Sequence, residues 1–175
     1  MEERECPMTP VLKVEILREG AKLPVRATEG SACYDIHACL TDGKNLEGYN
    51  AFNYPQYSPI NGGTCKVYRD TRWMIPTGLK LEIPKGYCVK LYARSGLAIK
   101  NGMRLCNGVA VIDSDYRDEV FVLLSNSGAT FDLQHGIRIA QMSLEPVVPI
   151  QLKLVNEVGV AGTERAGGLG STGLE

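Results

Sequence analysis

Only the stretch from Ser95 to Lys100 carries anything like a helical stripe; elsewhere Gly and Pro cut the chain into short β-branched or alternating runs. Leu12-Lys13-Val14-Glu15-Ile16-Leu17 alternates apolar and polar residues, which turns one face of a strand inward. Similar runs follow at 34–38, 73–76, 78–84 and 87–92, with a turn at Lys85-Gly86. Further runs lie at 109–112, 120–124, 136–144 and 152–155. Short strands at close spacing with Pro and Gly between them predict an all-β chain, a sandwich, barrel or jelly roll. Ser95 is placed to cap the one short helical turn.

Between Gly43 and Asp70 the pattern breaks. Gly, Asn, Pro and Tyr dominate there, and Tyr49, Phe52, Tyr54 and Tyr57 fit neither a helix face nor a strand face. The segment reads as an irregular insertion, longer than the usual connection. Its aromatics suit either a loop folded over a sheet face or a contact surface for another protein or subunit. After Val160 the alternation stops, and five glycines fall between Gly162 and Gly173. The expected organisation is one β domain over 1–160 and a tail over 161–175 that orders only against a ligand.

The 175 residues suffice for one core without disulfide staples. A net charge of -1 leaves no basic footprint for nucleic acid. No run is long and apolar enough to cross a membrane, and the acidic start is unlike a signal peptide. A soluble, intracellular protein is expected, cytoplasmic or nuclear. The six cysteines form no C-x-x-C pair, so buried thiols acting as small hydrophobes are expected. His37 and His135 lie far apart without metal-ligand spacing and read as solvated or packed.

The chemistry concentrates in Asn107-Gly108-Val109-Ala110-Val111-Ile112-Asp113-Ser114-Asp115-Tyr116-Arg117-Asp118-Glu119-Val120. Two strand-like arms around an Asp-Ser-Asp turn predict a hairpin with carboxylates and a ring at its exposed end. Taken alone, aspartates at such a tip are turn formers. Their company changes the reading: Ser31-Ala32-Cys33-Tyr34-Asp35-Ile36-His37-Ala38, Arg94-Ser95-Gly96-Leu97-Ala98, Gly136-Ile137-Arg138-Ile139-Ala140-Gln141, and the tail Arg165-Ala166-Gly167-Gly168-Leu169-Gly170-Ser171-Thr172-Gly173. These five motifs in this order resemble the trimeric dUTP pyrophosphatase (dUTPase) family over nearly the whole chain.

That resemblance implies a jelly-roll-like β-barrel or sandwich. It also implies hydrolysis of dUTP to dUMP and pyrophosphate, which limits uracil in DNA and supplies dUMP for dTMP synthesis. Asp113 matches the carboxylate that positions water for attack at the α-phosphorus. A carboxylate is a weak base, so placement and electrostatics should carry most of its effect. Asn107, Gly108, Val111 and Ile112 match the segment that reads uracil, largely through backbone groups, although Asn107 beside Gly108 also fits a plain turn. Tyr116 matches the ring under deoxyribose, where a 2′-hydroxyl would collide. Asp115 reads as a turn residue or ion-pair partner.

Arg94, Ser95, Gly96 and Gln141 match the phosphate contacts, a guanidinium fork beside a hydroxyl and an amide. Arg138 fits a salt bridge between subunits equally well. Asp35, otherwise a strand-edge charge, matches an aspartate that orders metal-bound water. Mg²⁺ is implied, held by phosphate oxygens and water rather than by a protein cage. Arg165, Leu169, Gly170, Ser171 and Thr172 match the closing tail. In the family it reaches another subunit's site, which implies a homotrimer with sites between subunits.

Departures are specific. Cys33 stands where glycine is usual, Ala93 where proline is usual and Asp118 where glycine is usual, each tolerable if its φ is negative. The tail is one residue short between Arg165 and Leu169, and Leu169 replaces an aromatic over uracil, so weaker closure is expected. Two alternatives follow: a regulatory or binding protein on the same fold that uses 43–70 to hold a partner, and a dCTP deaminase.

Overall fold

The computed structural model describes residues 9–159. Alternation along the runs becomes two packed layers of antiparallel strands. The larger sheet has the order β4 (Pro55–Pro59), β3 (Asn45–Asn50), β6 (Thr71–Glu82), β10 (Glu119–Asn126) and β8 (Met103–Leu105), with β1 (Lys13–Ile16) pairing on β6. The second has the order β2 (Tyr34–His37), β12 (Arg138–Pro146), β7 (Tyr87–Tyr92) and β9 (Ala110–Ile112). β5 (Thr64–Val67) and β11 (Phe131–Gln134) form a separate pair. The all-β expectation holds, and the helical turn is α1 (Ser95–Asn101).

Inward residues of every layer meet in one core, with Trp73, Ile75, Val122 and Leu124 from the larger sheet against Ile36, Val89 and Leu91 from the second. At about 1.5–3 kcal/mol for each large side chain removed from water, this cluster is the main stabilising element. His135 packs too, its ring bonded to Leu40 N at 3.1 Å. Cys39, Cys65 and Cys88 are buried free thiols as expected, but Cys106 is exposed.

Five local expectations need correction. Residues 43–70 are not an irregular loop: β3 and β4 pair from Asn45↔Pro59 to Tyr49↔Pro55, and β3 joins β6. The segment's pattern was hidden because Gly48 and two prolines occupy strand positions, where they are usually disfavoured. Gly48 is required there, since a Cβ would meet Arg72 O at 2.3 Å and the Trp73 ring at 2.7 Å. The runs at 73–76 and 78–84 are one strand, β6, interrupted by a bulge. Ser95 is the first helical residue; Arg94 holds the cap position, and its side chain makes no capping bond to the helix. Residues 152–155 form no strand and are exposed.

The fifth correction matters most. The two arms around Asp113 do not pair with each other. β9 pairs with β7, from Val89↔Ile112 to Leu91↔Ala110, whereas β10 pairs with β6 and β8. Residues 113–118 are therefore a corner carrying the chain from one sheet to the other.

Candidate active site

At this corner the sheets separate enough to leave a recess of about 310 Å³. Leu91 and Val120 line it from the two layers, while Asn107, Asp113 and Tyr116 also border it. An apolar recess of this size bordered by an amide, a carboxylate and a phenol suits one small ring-bearing ligand. Val111 and Ile112 line it through β9, and Gly108 ends the preceding turn, its N–H donating to Leu105 O at 3.3 Å. Asp113 is exposed, and its carbonyl accepts from Tyr116 N at 3.2 Å. The Tyr116 hydroxyl donates to Glu119 O at 2.7 Å. Burial first, then the carboxylates of Asp118 and Glu119, push the phenol's pKa up, so it remains a donor at neutral pH. Asp115 is exposed.

A second group gathers where β2, β12 and the start of α1 meet. Asp35, its side chain only 12% exposed, accepts from Arg94 Nε at 3.1 Å and from Arg138 Nη1 at 3.0 Å, one on each oxygen. Asp35 is thus a buried partner of two arginines rather than a strand-edge charge. Arg138 satisfies that carboxylate within the chain, without help from another subunit. Gln141 lies in register between Asp35 and Tyr92 and donates to Ala93 O at 3.4 Å. Ser95 and Gly96 are exposed beside Arg94, with open space around Gly96. Two guanidiniums against one carboxylate leave the patch with a positive excess, suited to an anion. His37 pairs in register with Arg138, and its Nδ1 is buried without a partner. Its pKa is lowered, by burial first and then by Lys22, which keeps the ring neutral.

The structure brings Asp35, Arg94, Ser95, Gly96 and Gln141 together, and separately gathers Asn107, Val111, Ile112, Asp113 and Tyr116. The recess includes none of the first group. The strands nearest each group belong to one sheet, with β7 standing between β9 and β12. Arg165, Leu169, Gly170, Ser171 and Thr172 lie outside the described residues. Cys33, Ala93 and Asp118 are not among the residues with positive φ, so these departures strain no backbone.

Among the described residues no three His, Cys, Asp or Glu side chains cluster as metal ligands. Both Asp35 oxygens already accept from arginines, so this carboxylate could meet a metal through the metal's bound water and not as a direct ligand.

Arg18 and Glu119 escaped the sequence reading. Arg18 donates twice to the Glu119 carboxylate, which also accepts from Gly78 N at 2.7 Å. The available signal was Gly78 inside a strand run, a mark of a bulge.

Comparison with known proteins follows the same lines. The dUTPase family model matches residues 63–173. A deoxyuridine 5'-triphosphate nucleotidohydrolase of Brucella melitensis is 38% identical over 170 residues, covering 96% of this chain and 94% of that protein. One from Roseobacter denitrificans is 39% identical over 153 residues, covering 86% of each. Among solved structures, a Staphylococcus bacteriophage 80alpha dUTPase with dUpNHpp has a TM-score of 0.74 at 21% identity, covering 95% of this chain and all of that one. The dUTPase of S. aureus phage phi11, a mutant described with a structural Mg(II) ion, has a TM-score of 0.65 at 21% identity, over 84% and 97%.

Proposed function

This chain belongs to the dUTPase family, and from that premise we propose that it hydrolyses dUTP to dUMP and pyrophosphate inside the cell. The observation that carries the reading is the recess at the 113–118 corner, where an apolar floor, an amide, a carboxylate and a phenol converge. Uracil enters beside Asn107 and the β9 backbone, and deoxyribose lies on Tyr116. Asp113, exposed at the recess, orients the water that attacks the α-phosphorus. Arg94, Ser95 and Gln141 hold the phosphate chain.

The Asp35 carboxylate between Arg94 and Arg138 presets both guanidiniums, reducing the reorganisation needed when phosphate arrives. Mg²⁺ arriving with the triphosphate would supply charge neutralisation, and Asp35 would hold water bound to it. Arg165, Leu169, Gly170, Ser171 and Thr172 of the tail close over the ligand.

Two observations support a homotrimer with sites between subunits. The recess and the Asp35–Arg94 group share no residues, and the arm beyond Val147 N, bonded to Gly86 O at 2.8 Å, carries unburied Ile150, Leu152 and Leu154. A second role in holding a protein partner is favoured by Tyr49, Phe52, Tyr54 and Tyr57, all more than half exposed around the β3–β4 hairpin.

The test is turnover by the purified chain with Mg²⁺ on dUTP, UTP, dTTP and dCTP, with pyrophosphate and ammonia followed separately. Pyrophosphate from dUTP alone is expected. Ammonia from dCTP would make it a deaminase, and inactivity on all four would favour the partner-holding role.

A further inference from the structure

The bulge in β6 lies next to the corner that carries Tyr116. Between the paired residues Pro76↔Phe121 and Lys80↔Glu119, three residues of β6, Thr77, Gly78 and Leu79, face Val120 alone. Such an excess leaves ladder groups without partners, and here side chains replace them. Thr77 Oγ1 donates to Val120 O at 2.6 Å and accepts from Leu79 N at 3.2 Å. Gly78 N donates to the Glu119 carboxylate at 2.7 Å, and Gly78 O accepts from Leu17 N at 2.8 Å. Gly78 has φ +69°, and a Cβ would meet Ala21 Cβ at 2.6 Å, so only glycine fits.

The next residue after Leu17 is Arg18, which grips both oxygens of Glu119. Glu119, with a side chain 13% exposed, is thus fixed from two directions. Its carbonyl oxygen is the acceptor for the Tyr116 hydroxyl. Tyr116 and Val120 both line the recess. A chain of contacts therefore runs from Arg18 through Glu119 to the ring on which the sugar rests.

We propose that Arg18 and Glu119 are positioning residues for sugar discrimination: latched to the β6 bulge, they fix the Tyr116 ring at the height that refuses a 2′-hydroxyl. The inference rests on the dUTP reading and adds two residues to it. Arg18 lies 98 positions from Tyr116 in sequence and outside the recess, so it acts only through Glu119. A charge-assisted, two-pronged pair is worth more than an exposed ion pair, because both partners are partly buried.

The experiment compares wild type with Arg18→Met, Glu119→Gln and Tyr116→Phe. It measures dissociation constants for dUMP and UMP by calorimetry, the dUTP to UTP ratio of kcat/KM, and thermal midpoints. Each variant is expected to lower the deoxy preference roughly three- to tenfold, the scale of one lost hydrogen bond, chiefly by admitting the ribonucleotide. The double variant Arg18→Met with Tyr116→Phe should lose little more than the worse single one, since both break one latch. A merely structural role would lower the midpoint and weaken both nucleotides alike. Tyr116→Phe leaves the Arg18 ion pair intact, so it reports even if Arg18→Met fails to fold.

A wild type that prefers dUMP, with the preference unmoved in the variants, overturns the latch alone. A wild type with no preference for dUMP over UMP overturns the dUTP reading and the latch with it.

Discussion

Asp113 is exposed at the recess with only its carbonyl committed, to Tyr116 N. A carboxylate so placed contributes by holding water in line. Asp113→Asn keeps the shape and one acceptor but removes the charge; kcat should fall roughly 10²–10⁴-fold, the range for a positioned acid or base, with KM changed little. Initial rates on dUTP decide it, and an undiminished kcat would assign water placement elsewhere. Asp113, Tyr116, Arg94 and Gln141 were singled out by the resemblance; the structure sets the first two at the recess and the other two beside Asp35. Asp35 was a candidate through the resemblance, but its pairing with two arginines was not readable, because Arg94 and Arg138 lie 59 and 103 positions away. Arg18 was invisible for the same reason.

Among the elements, β1, β2, β7 and β12 announced themselves by alternation, whereas β3 and β4 did not. Gly48 and the prolines at both ends of β4 lower local strand preference, and pairing with β6 overrides it. The corner was misread as a hairpin because local sequence reports strand and turn residues but not which sheet each arm joins. The β3–β6 contact supplies a test. Gly48→Ala puts a methyl against Arg72 O, a backbone atom that cannot step aside, and should destabilise the chain by about 1–3 kcal/mol. Denaturant midpoints measure the loss; a midpoint equal to wild type would mean that the hairpin is loosely docked.

For the molecule as a whole, the core is complete within one chain but the C-terminal arm is not. Leu152 is 90% and Leu154 98% exposed, and burying each would contribute about 1.5–3 kcal/mol. On the proposed trimer, Leu152→Asp combined with Leu154→Asp should shift sedimentation toward monomer and reduce turnover in step. A trimer that survives both substitutions would place the contact elsewhere. The corner between β9 and β10 carries a last consequence. On the proposed function, a nucleotide in the recess would touch residues of both sheets and so act as a rivet between layers joined there by a six-residue crossing. Binding only the folded chain, it would raise the chain's resistance to unfolding as its concentration rises above its dissociation constant.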